Sequence, residues 1–159
     1  MLLISLALPG AGLAQTSPSP EPTAACVAAA TTEAGREACI GLAAAACLGA
    51  VKGAAEVDAA ICLNAETVWW ADRLRAARTA MTAKAEALDE AHAAQIAKGA
   101  AKMADDFANF QTAWSVWSEQ RCTFEAMLHF GKPDRMVAAS TCLLQVTAEQ
   151  ALLLEAAAR

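Results

Sequence analysis

Bulky and apolar side chains recur along this chain in alternating steps of four and three. Leu63, Thr67, Trp70, Leu74, Ala77, Met81, Lys84 and Leu88 form one such series. Met103, Phe107, Phe110, Trp114, Trp117, Arg121, Phe124 and Leu128 form a second. A mean spacing of about 3.5 residues is the seam of helices packed nearly antiparallel, so the two series predict a helical hairpin. The second seam carries the large aromatics and the first mostly smaller side chains, which lets facing layers interdigitate. From about Thr141, Leu143, Val146, Gln150, Leu153 and Ala157 repeat at helical spacing and predict a third helix.

Turn signals divide these runs. Between the second and third helices lies His129-Phe130-Gly131-Lys132-Pro133-Asp134-Arg135, where glycine and proline end one helix and turn the chain. Upstream, residues 24–50 are alanine-rich and broken by Thr31-Thr32. With Glu33 following, the threonines predict the cap of a short helix running to about Ala50. Gly49 to Ala55 then reads as a turn. Alanine has the highest helix propensity because it loses no side-chain entropy, and β-branched residues are sparse. The expected fold is all-α: a small helical bundle with a long antiparallel hairpin, a C-terminal helix and a docked N-terminal helical hairpin.

The N-terminus changes the setting. Residues 1–14 form a short apolar run with a Pro9-Gly10 break and small residues at Gly12 and Ala14, the pattern of a signal peptide cut after Ala14, although no Lys or Arg precedes the run. That run is too short to span a bilayer, so no membrane insertion is expected after cleavage. Residues 15–23 (QTSPSPEPT) alternate proline with small polar residues and read as a flexible tether. Residues 24–159 have the size of one domain. A net charge of −5 is a mild acidic excess, and no basic stripe exists for nucleic acid.

Six cysteines follow the leader: Cys26, Cys39, Cys47, Cys62, Cys122 and Cys142. An even number behind an export-like leader reads as a disulfide framework and a periplasmic or secreted location. Cys122 and Cys142 flank the Gly-Pro turn and would staple it. Nearest-neighbour pairing, Cys26–Cys39 and Cys47–Cys62, is the simplest arrangement for the others. Four cysteines nevertheless allow three connectivities, and spacing does not choose among them. The rival, a zinc site, lacks a Cys-x-x-Cys knuckle and a nearby histidine.

Little else reads as chemistry. His92 and His129 stand alone, with no Cys or His at i, i+4 to make a metal pair, so neither a metal nor a cofactor is called for. Asp105-Asp106 suits the N-terminal end of the second helix. Glu66, Asp72, Glu119 and Glu125 are expected to pair with Arg73, Arg78 or Arg121, and Arg121, on the seam, needs a neighbouring carboxylate. Trp69, Trp70, Trp114 and Trp117 are first a bundle core, with Trp69 beside the seam and partly exposed. No constellation supports an enzyme.

Three stretches resemble the LprI-type lysozyme inhibitors, a family of small exported bacterial helical proteins. They are Cys62-Leu63-x-x-Glu66-x-x-x-Trp70-x-x-Arg73-Leu74, Gln111-x-Ala113-Trp114-x-x-Trp117-x-Glu119-x-x-Cys122 and Cys142-Leu143-x-x-x-Thr147-x-x-Gln150-Ala151-x-x-Leu154-Glu155. The resemblance runs from roughly Cys26 to Glu155. It departs from the family's polar pattern at Ala71, Arg75, Arg78, Ser118-Glu119 and Gln150. The resemblance implies binding and inhibition of a lysozyme-like muramidase. The rival expectation is an envelope structural or interaction module without inhibitory activity. An inhibitor must place a rigid polar projection into a cleft that holds catalytic carboxylates. Gly131, Lys132, Asp134 and Arg135 are the candidate partner-binding residues, since that turn offers two cations beside a staple.

Overall fold

The structure, a computed structural model, describes residues 18–159; the expected leader and the first part of the tether lie outside the described residues. The described residues form seven helical segments: α1 Glu21–Ala29, α2 Glu33–Glu37, α3 Leu42–Gly49, α4 Glu56–Ala91, α5 Ala93–Ile96, α6 Met103–Leu128 and α7 Arg135–Ala158. The protein is all-α and stabilised by disulfides. Cys26–Cys39, Cys47–Cys62 and Cys122–Cys142 are bonded, with Cα separations of 5.7, 5.7 and 5.4 Å. No thiolate is therefore left for metal binding or nucleophilic attack.

The core lies where α4 meets α7. Trp70, Leu74 and Ala77 of α4 pack with Leu144, Ala148, Ala151 and Leu154 of α7, and Val27 and Cys39 close one side. The alanines at 77, 148 and 151 have almost no side chain, so the two helices approach closely around the fully buried Trp70. Helix α7 has the length and mean hydropathy (1.4) of a bilayer span, and half of that stretch is buried inside the fold. Lys84 Nζ donates to the Ala157 and Arg159 carbonyls (2.7 and 3.2 Å), placing a cation at the negative end of α7.

The first predicted seam lies inward, from Leu63 through Thr67, Trp70, Leu74 and Ala77. The second does not. Gln111, Ser118 and Cys122 are the buried side chains of α6, whereas Met103, Phe110, Trp117, Arg121, Phe124 and Leu128 are exposed; only Phe107 and Trp114 lean on the core. The close helix pair is accordingly α4 with α7 rather than α4 with α6. The reason is local: small Ser118 and disulfide-bonded Cys122 let α6 settle against α7, which turns the bulky stripe outward.

Other expectations need adjustment. Helix α7 begins at Arg135 rather than near Thr141, so Cys142 lies within it and its buried face includes Leu144, Ala148 and Leu154 while Leu143 and Leu153 are exposed. Thr32 does cap a helix, accepting from the Gly35 amide at 3.0 Å, but that helix stops at Glu37. Gly41, at φ +93°, takes the left-handed conformation that starts α3 in a new direction. Glu21, Pro22 and Thr23, expected in the tether, form the first turn of α1, where proline is tolerated because its missing amide would be unpaired anyway. Thr23 is fully buried.

Candidate functional site

Two regions gather the polar and apolar features that packing alone does not require. The first is a buried carboxylate. Glu66 is only 2% exposed, yet both its oxygens are satisfied. Oε1 accepts from the Thr23 hydroxyl (2.9 Å), the Gly41 amide (2.8 Å) and the Trp70 indole N–H (3.1 Å). Oε2 accepts from the Ala44 amide at 2.8 Å. Thr23 Oγ1 in turn accepts from the Ala43 amide at 2.9 Å. One side chain of α4 thus caps the start of α3 and ties α1 to it, satisfying amides that would otherwise be orphaned.

This overturns the expected pairing of Glu66 with an arginine, because the backbone of α3 and Thr23 reach it first. Arg73 instead pairs with Glu155 of α7 at 2.7 Å and lies 4.9 Å over the Trp69 ring. Asp72 pairs with Arg75 on the surface at 2.9 Å. Arg121, expected to need a carboxylate, is exposed and stacks 5.3 Å over Trp117, because the seam that would have buried it faces solvent.

The second region is the turn between α6 and α7. Helix α6 ends as His129 and Phe130 donate their amides to Ala126 and Met127 carbonyls, and the Lys132 amide donates to the His129 carbonyl at 3.0 Å. Gly131 reverses the chain at φ +76°. Cys122–Cys142 bridges the two helices just beyond the turn. His129 Nδ1 lies 3.0 Å from Asp134 Oδ2 across its base. The His129 contact, first as a hydrogen bond and also through charge, holds the Asp134 carboxyl below its ordinary range, with Lys132 adding to the effect.

The structure therefore brings Gly131, Lys132, Asp134 and Arg135 onto one stapled tip. Lys132 projects into solvent without an ion pair among the described residues. Arg135 lies in the first turn of α7, with its guanidinium 5.7 Å over the Phe130 ring. Phe130 is itself 77% exposed, and Met127, Leu128, Phe124 and Trp117 continue an apolar strip from it along α6. Trp117, Phe124 and Leu128 belong to the predicted second seam, which faces solvent here; Met127 and Phe130 lie outside that periodicity. Glu66 also carried a signal, since it lies one helical turn from both Cys62 and Trp70, which are buried.

Comparison with known proteins adds a lineage. The family model described as lysozyme inhibitor LprI matches residues 47–154, from Cys47 in α3 to Leu154 in α7. An uncharacterized 17.7 kDa protein in the puhA 5′ region of Rhodobacter capsulatus is 48% identical over 158 residues, spanning 99% of this chain and 94% of that relative. No solved structure matches.

Proposed function

The chain belongs to the LprI lysozyme inhibitor family, and on that premise we propose that it is an exported, non-catalytic protein that binds and inhibits a lysozyme-like muramidase. The observation that carries this reading is the tip at residues 129–135, where Lys132 and Arg135 are exposed at a turn closed by Cys122–Cys142. A muramidase cleft contains a pair of carboxylates, and cations held on a rigid projection complement them. Rigidity matters because a tip already ordered loses little conformational entropy on binding. The exposed apolar strip from Trp117 to Phe130 supplies the surrounding contact area. The net charge of −5 favours encounter with a basic enzyme. Three disulfides fit an oxidising compartment, where such an enzyme would be met.

A turbidity assay on lysozyme-treated cell walls tests the proposal. Micromolar protein should slow clearing, and Lys132→Ala with Arg135→Ala should weaken inhibition at least tenfold while leaving the melting temperature unchanged. Undiminished inhibition by that double variant removes the tip from the interface. No inhibition by the wild-type protein removes the muramidase reading and leaves an envelope interaction module.

A further inference from the structure

Away from the tip, α4 and the N-terminal half of α6 diverge around a groove of about 520 Å³. Arg78 and Thr82 line it from α4; Phe107, Gln111, Thr112 and Ser115 line it from α6. Its volume falls in the range of small-ligand sites. Gln111 is the telling residue. It is 6% exposed, and neither its side-chain oxygen nor its nitrogen has a hydrogen-bond partner among the described residues. A buried amide left unsatisfied at both ends is costly, so native proteins rarely keep one without a hydrogen-bonding partner. Thr112 donates to the Ala108 carbonyl at 3.0 Å, which leaves its oxygen free to accept. Arg78 is exposed and makes no ion pair among the described residues.

We propose that this groove is a binding site for a small acylamino carboxylate, with Gln111 reading the amide and Arg78 the carboxylate. A side-chain amide offers a donor and an acceptor side by side, and the group that answers both is another amide. A guanidinium at the rim selects a carboxylate, which it can hold through two N–H donors. Phe107 offers an apolar wall for the ligand's carbon skeleton. Because the site lies apart from the 129–135 tip, occupancy of one is separable from the other.

Such a group could come from an amino acid or from an amino sugar, so two probes distinguish the source: N-acetylalanine and N-acetylmuramic acid. Calorimetric titration of the disulfide-intact full chain should give saturable millimolar or tighter binding of at least one. The Gln111 side-chain amide resonances should shift on the same isotherm. N-acetylglucosamine lacks the carboxylate and propionate lacks the amide; each should bind at least tenfold more weakly. Gln111→Met keeps the shape and removes the unpaired amide, so it should fold with an unchanged or higher melting temperature and lose at least tenfold in affinity. Arg78→Ala should lose a similar factor for the acids alone. Failure of both probes to bind at 10 mM (about 2.7 kcal/mol of binding free energy) overturns the proposal. So does binding that Gln111→Met leaves unchanged.

Discussion

The N-terminal clasp around Glu66 and the α6–α7 tip are both closed by disulfides, yet they handle polarity in opposite ways. In the clasp a carboxylate is buried and every oxygen is answered by a donor from α1, α3 or α4. At the tip large apolar side chains face solvent and Lys132 has no ionic partner among the described residues. Internal satisfaction of polar groups is what a structural region requires, because an unpaired buried charge is severely destabilising. Apolar surface left outside helps stability very little, because it is not removed from water. The clasp holds the fold together, whereas the exposed apolar side chains of the tip contribute little to it.

The sharpest way to break that division is at Glu66. Glu66→Ala leaves the Thr23 hydroxyl, the Trp70 indole and two amides of the α3 start without their acceptor. Denaturant unfolding should show a loss of about 3–5 kcal/mol, the range for removing one member of a buried charged network. A loss under 1 kcal/mol would mean that the clasp is held by its disulfides alone. Next in size is the pair Cys47→Ala with Cys62→Ala, which opens a loop of 15 residues. The chain-entropy account puts this at about 3 kcal/mol, read from the same unfolding curves.

Substitution on the strip should do the reverse. Trp117→Ser with Phe124→Ser removes half-exposed rings, so stability should move by no more than about 0.5 kcal/mol per site while muramidase inhibition falls. A collapse in stability would return the strip to the core. The smallest effect belongs to His129→Asn. Asp134 titrates below its ordinary value of 3.8 because of His129, so the variant should raise its midpoint, followed by carboxyl chemical shifts. The sign follows from linkage. A depressed carboxylate contributes fully above its unfolded value, and that contribution is lost as pH falls through the lowered one. Acid below the ordinary carboxylate range should therefore loosen the wild-type tip.

Much of the architecture is local and so was readable from local patterns. The inward seam of α4 follows the spacing from Leu63 to Ala77, and the cysteines bond in consecutive pairs along the chain, the simplest of the connectivities that spacing left open. What escaped was the rotation of α6. A run with large side chains on several faces satisfies more than one helical seam. The choice between them was made by Ser118 and Cys122, small residues that scored as nothing in a hydrophobic pattern. Glu66 was legible only as a position one helical turn from Trp70; its other partners, the Thr23 hydroxyl and the Gly41 and Ala44 amides, lie more than twenty residues away in sequence. The tip residues were found as a turn, since Gly131 and Pro133 mark one, but the exposure of Phe130 beside them required the rotation of α6 to be known.

The nearest-neighbour pairing also bears on how the protein is made. The bonded cysteines are separated by 13, 15 and 20 residues, and no loop encloses another. A chain that entered an oxidising compartment N-terminus first would meet each correct partner before the next pair arrived. Order of arrival alone would write the native connectivity, without the slow thiol exchange by which crossed disulfides are corrected. Refolding from the fully reduced and denatured state lacks that ordering, because all six thiols then compete at once.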